Sequence, residues 1–423
     1  MSNQKKQWGA IIVMIALFAM IAFVTNLCSP MAIIVKNDFG ASNVLAQIGN
    51  YGNFIAYLVM GIPAGMIIAK IGYKKTALLG LVIGIIGILV QWASGHVGKE
   101  SAFAVYLVGA FISGFTMCIL NCVVNPMLNL LGGGGNKGNQ LIQIGGVFNS
   151  SAAVAVYILM GALIGDAAKA HIADATPALM IALGIFVIAF IVISFTKIEE
   201  PEQAPVDTSL IKGALGYRHF VLGILGIFLY MGIEVGVPTY ILQYLTSPQG
   251  GSMAASTVGL IVAVYWLMML VGRFIGGAIG SAVSSRTQIT VVSVLTLVLV
   301  LFGMYAPTDI TVSVPAIDWA TLTVGSETVP VGIFAFLLVG LCTSVMWGGI
   351  FNMAVEGLGK YTAIASGIFM TMVFGCAVMV ALQAFVADAT GNILTSYWVV
   401  VFCAAYLLFY ALVGSRVSKS SKE

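Results

Sequence analysis

Polar residues interrupt this chain only at long intervals, and the stretches between them are almost wholly apolar. Twelve runs approach or exceed the ~20 residues that a helix needs to cross a hydrocarbon layer of ~30 Å: 9–35, 46–69, 76–95, 101–131, 140–165, 176–196, 217–246, 255–283, 288–306, 330–358, 361–387 and 393–415. They lack the period-two alternation of an outer-membrane barrel, so each predicts a helix. The first run follows Lys5 and Lys6, like the basic start of a secretory leader. Its apolar part is far longer than a leader's and shows no obvious small-residue cleavage site, so it is expected to remain as a helix.

Composition agrees with the pattern. Of 423 residues 60% are hydrophobic and 8% charged, against about 25% charged in an ordinary soluble chain, and the mean hydropathy is +1.06. A soluble, disordered or disulfide-stapled protein is excluded. The six cysteines, Cys28, Cys118, Cys122, Cys342, Cys376 and Cys403, all lie in apolar runs without metal or redox spacing, and read as small core residues. The net charge of +3 comes with no basic stripe interleaved with aromatics, so no nucleic-acid partner is expected. His96, His171 and His219 fall near run edges, no Ser/His/Asp set can be proposed, and the Gly132 to Gly135 loop lacks a following Lys-Ser/Thr. Neither an enzyme nor a cofactor or metal site is expected.

With twelve spans both termini share one side. Of the 18 lysines and arginines, 14 then fall on that side, Lys36, Lys99 and Lys169 fall on the other, and Arg273 is intramembrane. This positive-inside bias predicts that both termini are cytoplasmic. One break has the composition of a linker: Lys197 to Gly216, with Glu199, Glu200, Pro201, Glu202, Pro205 and Asp207. The expected organisation is a six-helix bundle over 1–197, a cytoplasmic linker over 198–216 and a second six-helix bundle over 217–423. Ala306 to Thr328, with Asp309, Asp318 and Glu327, is expected to be an outside loop. The halves share a repeat: Gly65 precedes Lys75 by ten residues after the second span, and Gly276 precedes Arg286 by ten after the eighth. Duplicated halves are a transporter signature, so the fold class is an all-α membrane protein of two pseudo-symmetric bundles.

Glu234 stands out chemically. It lies mid-run, where an unpaired charge is expensive and marks a substrate or ion pathway. It is a candidate both for binding the hydroxyls of a polar solute and for carrying a coupling cation. Amides recur at depth, and Asn26, Asn121, Asn125, Gln143 and Asn149 form a candidate substrate-binding group, because amides offer donors and acceptors without the desolvation cost of charge. Tyr230 and Trp347 add flat faces on which a ring-shaped solute can stack; Tyr265 and Trp266 are weaker candidates of the same kind. Gly65, Lys70, Gly72, Lys74, Arg273 and Arg286 read as gate elements: close packing at glycine, and cation contacts that break between two orientations of the halves.

Several of these stretches resemble the major facilitator superfamily, in particular its fucose permease and glucose/galactose transporter branch. Gly61, Pro63 and Gly65 with Lys70, Gly72 and Lys74 resemble the end of helix 2 and its loop. Asn125-Pro126 with Leu131-Gly132 resembles helix 4, and Phe148-Asn149-Ser150 helix 5. Tyr230, Gly232 and Glu234 resemble helix 7, and Gly272-Arg273 with Gly276 helix 8. Leu358-Gly359, the stretch from Ser366, and Ala387-Asp388 through Gly391-Asn392 resemble helix 11 and the loop beyond it. The resemblance runs from about residue 10 to residue 412. It implies import of a small neutral sugar (a hexose, deoxyhexose or related monosaccharide) by a monomer that rocks its two halves, coupled to a proton or sodium gradient. The positions matching the fucose permease carboxylates on helices 1 and 4 are Ser29 and Asn121. Gln143 stands for an asparagine, Gly146 for a glutamine, and Trp347-Gly348-Gly349 for an aromatic-Pro-Thr segment. An uncoupled facilitator therefore stays open, as does a carrier of anionic sugars or organic acids, or a non-transporting sensor on the same fold.

Overall fold

The structure, a computed structural model, describes residues 7–39, 43–164, 171–198, 200, 209–253, 255–318 and 323–417. Twelve long helical segments follow the twelve apolar runs: α1 (Trp8–Phe39), α2 (Asn43–Ile71), α3 (Tyr73–Ser94), α4 (Lys99–Leu131), α5 (Gly135–Ile164), α6 (Thr176–Phe195), α7 (Arg218–Thr246), α8 (Ala255–Ile279), α9 (Ser285–Tyr305), α10 (Val331–Val355), α11 (Gly359–Thr390) and α12 (Leu394–Gly414). Among the described residues eleven carry a stretch long and apolar enough to cross a membrane, and the 30-residue α5 is the twelfth. Helices are what lipid permits, because a helix satisfies its backbone N–H and C=O groups internally where no water is available.

The helices form two six-helix halves, α1–α6 and α7–α12. Between them the chain makes a short helix, Ser209–Leu215, which packs Gly213 against the Tyr361 ring at the start of α11. Glu199, Pro201, Glu202, Pro205 and Asp207 lie outside the described residues, as do the side chains of Ser29 and Lys36.

The stretch expected as an open loop between α9 and α10 is instead an antiparallel hairpin, β1 (Thr311–Asp318) paired with β2 (Thr323–Pro330), in register from Thr311 opposite Pro330 to Asp318 opposite Thr323. The physical reason is in its residues. Val312 and Val314 alternate with Thr311, Ser313 and Pro315, as in a strand, Val312 pairs with Val329, and the exposed Asp309 and Glu327 do not prevent pairing.

The repeated glycines pack the halves together at the end of the bundle that carries the α2–α3, α4–α5, α8–α9 and α10–α11 connections, called the basic end below. There α2 meets α11 so closely that a β-carbon on Gly367 would fall 2.5 Å from the Gly61 carbonyl oxygen and 3.0 Å from the Gly65 Cα. Its pseudo-equivalent is α8 against α5: a β-carbon on Gly280 would lie 3.2 Å from the Gln140 Cα, and Gln140 Nε2 donates to the Gly277 carbonyl at 2.9 Å. The repeat seen in the sequence thus closes the basic end twice. Seven hydrogen bonds between the halves lie between mid-depth and this end.

Candidate substrate site between the halves

Two chains of polar groups cross from one half to the other at mid-depth. The first is charged at its core. Arg273, on α8, donates from Nη1 to the Asn149 Oδ1 of α5 at 2.6 Å and to the Gly146 carbonyl at 3.0 Å. Its Nη2 lies 3.7 Å from the Glu234 carboxylate of α7. Asn149 in turn donates to the Phe18 carbonyl of α1 at 2.8 Å. Gly146 makes the crossing possible, since a β-carbon there would sit 2.9 Å from Arg273 Cδ. The pair is nearly dry, with the arginine side chain 7% and the glutamate side chain 13% exposed. At 3.7 Å the carboxylate is neutralised, yet it is beyond the 2.7–2.9 Å or so of a tight charge-assisted bond, so its oxygens keep acceptor capacity for another donor.

The second chain is neutral. Asn121 of α4 donates to the Tyr57 hydroxyl of α2 at 2.9 Å, and Asn125, one turn on, donates to the Asn121 carbonyl at 3.0 Å. The Asn125 Oδ1 accepts from the Trp347 indole N–H of α10 at 3.0 Å. Trp347 lies edge-on to Tyr230, ring centroids 6.2 Å apart. Tyr230 stands one turn before Glu234 on the same face of α7, which links the two chains.

Broken helices frame both. α10 runs as Val331–Thr343 and Met346–Val355, with a turn at Ser344 and Val345. The Thr343 carbonyl at the turn accepts from the Tyr230 hydroxyl at 3.4 Å, and the Val345 carbonyl accepts both the Gly349 N–H at 3.1 Å and, across the halves, the Gln143 amide of α5 at 3.2 Å. Interrupted helices at mid-depth are tolerated where the backbone is buried in protein or lines a cavity. Gly348 beyond the break lets Gln143 and Asn139 approach: a β-carbon there would be 2.8 Å from Gln143 Nε2.

The structure therefore gathers Asn121, Asn125, Gln143, Asn149, Tyr230, Glu234 and Trp347. Asn26 stands apart, half-buried, with its amide turned back to the Ala22 carbonyl of its own helix at 2.8 Å. Arg273, expected as a gate element, takes part in the mid-depth pair, and the absent side chain at Gly146 lets its guanidinium reach α5. Lys74 does not make the contact between halves expected of a gate cation. Its ammonium donates to the Ser194 and Thr196 carbonyls at 3.0 and 2.8 Å, satisfying the unpaired C-terminal end of α6 in its own half. Beside it, the Glu200 carboxylate accepts from the Tyr73 and Lys74 backbone N–H groups at 2.7 and 2.8 Å and caps α3. Gly72 permits this with φ of 85° and no β-carbon facing Glu200. Lys70 is exposed at the end of α2 and Arg286 half-buried at the start of α9. Closure at the basic end rests on Gly65 and its neutral surroundings: Asn129 donates to Asn352 at 3.1 Å, and Asn352 to Ser285 at 3.0 Å.

Tyr57 and Thr343 enter the network without having been selected from the sequence, and Tyr265, a weaker candidate there for stacking, enters it through its hydroxyl. Tyr57 sits in an apolar run, where a phenol needs a partner, and that was the available signal.

A family model described as the Major Facilitator Superfamily matches residues 13–382. The chain belongs to the major facilitator superfamily. Among its relatives, the glucose/galactose transporter of Brucella abortus is 29% identical over 98% of this chain and 96% of that one. The L-fucose-proton symporter of Escherichia coli K12 is 21% identical over 95% and 92%. The crystal structure of the E. coli fucose:proton symporter superposes with a TM-score of 0.77 at 19% identity, covering 96% of this chain and all of that one. The superfamily is one of membrane transporters, and the two-bundle architecture of this chain is that of the solved symporter.

Proposed function

We propose that this superfamily member imports a small neutral monosaccharide of the hexose or deoxyhexose class across a bacterial inner membrane, as a monomer with both termini in the cytoplasm. Its halves rock about the mid-depth site, and uptake is coupled to a cation gradient, a proton before sodium. One observation carries the reading. The described residues at the centre of the interface are amides, aromatics and a Glu234–Arg273 pair of no net charge, which suits an uncharged solute rich in hydroxyls and, among the described residues, offers an anion no free cation there. The names of the relatives support the same substrate class and, for the fucose symporters, the proton.

Substrate-binding roles go to Asn121, Asn125, Gln143, Asn149, Tyr230, Glu234 and Trp347, with Asn26 as a further wall residue on α1. Glu234 is assigned the coupling cation, since it is the acid at the interface that can exchange Arg273 for a proton. In the state described the basic end is shut. Gly65, Gly72, Arg273 and Arg286 with Lys70 and Lys74 are assigned to the transition that opens it, Lys74 by holding the end of α6 within its own half.

The test is uptake into proteoliposomes. Labelled galactose or glucose should accumulate above equilibrium when a proton gradient is imposed, and excess sugar acids should not compete. Equilibration without accumulation under proton and sodium gradients alike would identify a facilitator, the reading that Asn121 in place of a carboxylate favours. Strong competition by sugar acids would overturn the neutral substrate.

A further inference from the structure

Pro238 lies inside α7 and has no N–H, so the carbonyl four residues earlier loses its helical partner. That carbonyl belongs to Glu234. In the structure it accepts a hydrogen bond from the Tyr265 hydroxyl of α8 at 3.1 Å, and the same phenol oxygen is 3.1 Å from Thr343 Oγ1 on α10. With the phenol proton on the carbonyl, the threonine hydroxyl can donate to the phenol oxygen. Three helices thus meet at one hydroxyl, directly behind the acid of the site. Three other phenols also donate to α7 carbonyls: Tyr397 to Val237, Tyr406 to Leu222 and Tyr410 to His219. Those carbonyls face residues with a backbone N–H four positions on. Glu234's faces a proline, and Tyr265 alone among these four supplies a bond the helix itself cannot make. Tyr265 is fully buried, and its backbone carbonyl touches Gly340 of α10, where no β-carbon would fit. The ring therefore has little freedom to move away.

We infer that Tyr265 is a positioning residue for transport. Its hydroxyl replaces the hydrogen bond that Pro238 removes, and so fixes the backbone at Glu234 and holds the carboxylate in register with Arg273 and the substrate. The inference rests on Glu234 belonging to the site, and it predicts a specific dependence: the hydroxyl matters because residue 238 is proline.

The experiment is a cycle of Tyr265→Phe in the native background and in a Pro238→Ala background, where alanine restores the missing N–H. In the native background Tyr265→Phe should raise the KM for labelled galactose in counterflow about tenfold, as expected for an unsatisfied carbonyl costing on the order of 1.4 kcal/mol, with the maximal rate changed less. In the Pro238→Ala background the same change should cost under about twofold. A second readout does not depend on the sugar: the rate at which dicyclohexylcarbodiimide modifies Glu234, followed by mass spectrometry. A carboxylate loosened from Arg273 is more readily protonated and should react several-fold faster in Tyr265→Phe, returning to the background rate with Pro238→Ala. If the native protein moves no sugar, the transport reading fails while the labelling cycle still decides the role of Tyr265. Equal effects of Tyr265→Phe in both backgrounds, or no effect in the native one, would overturn the inference. Poor membrane accumulation of Tyr265→Phe supports it if Pro238→Ala restores accumulation and contradicts it otherwise.

Discussion

Replacing Glu234 by glutamine keeps the shape of the side chain and removes its charge, leaving the Arg273 guanidinium 7% exposed with no counter-charge. Breaking a fully buried pair by removing one partner costs about 3–5 kcal/mol. Here the glutamate side chain is 13% exposed and the closest approach is 3.7 Å, so the lower end applies, further reduced by residual hydration to about 2–3 kcal/mol. At about 1.4 kcal/mol per decade this is roughly a 30- to 150-fold change in an equilibrium constant. Arg273→Gln should be similarly destabilising, because it strands Glu234 and also gives up the bonds to Asn149 and Gly146. The double variant removes both charges, so its loss of stability should be clearly less than the sum of the single losses, with a coupling energy within the 0.5–3 kcal/mol typical of contacting residues. Thermal unfolding of purified protein in detergent, run as a double-mutant cycle, measures this coupling. Radiolabelled galactose uptake in parallel should be lost in all three variants. Additive single effects would show that the two charges do not sense each other and would refute the electrostatic reasoning.

Trp347→Phe removes the indole donor and leaves the fully buried Asn125 Oδ1 without it; at about 1–3 kcal/mol for such a group, the KM for sugar should rise roughly 5- to 150-fold in counterflow, whereas Trp398→Phe, at an exposed position, should change little. Gly65→Leu wedges α2 away from α11, where a β-carbon already lies 3.2 Å from the Gly367 Cα; a cysteine at Asn352 should then be labelled faster from the basic end, and unchanged labelling would contradict closure by close packing. Glu200→Ala removes the cap of α3 and should lower stability by about 0.5–2 kcal/mol, seen as a lower melting temperature with sugar KM unchanged.

The twelve helices were legible because lipid imposes one rule on every span, and a run of apolar residues is a direct image of it. The paired halves were legible through Gly65 and Gly276 with their trailing cations. The individual polar residues were visible for the same reason, since Glu234 or Asn125 inside an apolar run is conspicuous. Their partnerships were not. Arg273 and Glu234 lie on consecutive spans, but the bonds from Arg273 to Asn149 and the Gly146 carbonyl depend on α5 approaching α8 at Gly146, and no local pattern encodes a crossing of helices. The partners of Lys74 were not legible because position at a helix end does not say which neighbouring helix end lies within reach. The hairpin was missed because its acids outweighed the alternation of Val312, Val314 and Val329. Tyr265 was visible only as an aromatic in a membrane helix; its relation to Pro238 requires knowing which carbonyl faces it.

The central claim is that a sugar moves because the halves alternate about the mid-depth site, with the basic end opening and closing. Asn129 and Asn352, joined across the halves at 3.1 Å, allow that end to be locked. In a background without the native cysteines, Asn129→Cys with Asn352→Cys should be bridged by a short bis-methanethiosulfonate reagent. Galactose counterflow in proteoliposomes should stop on bridging and return on reduction, while sugar binding from the opposite face persists. Counterflow that continues with the bridge in place would contradict the account.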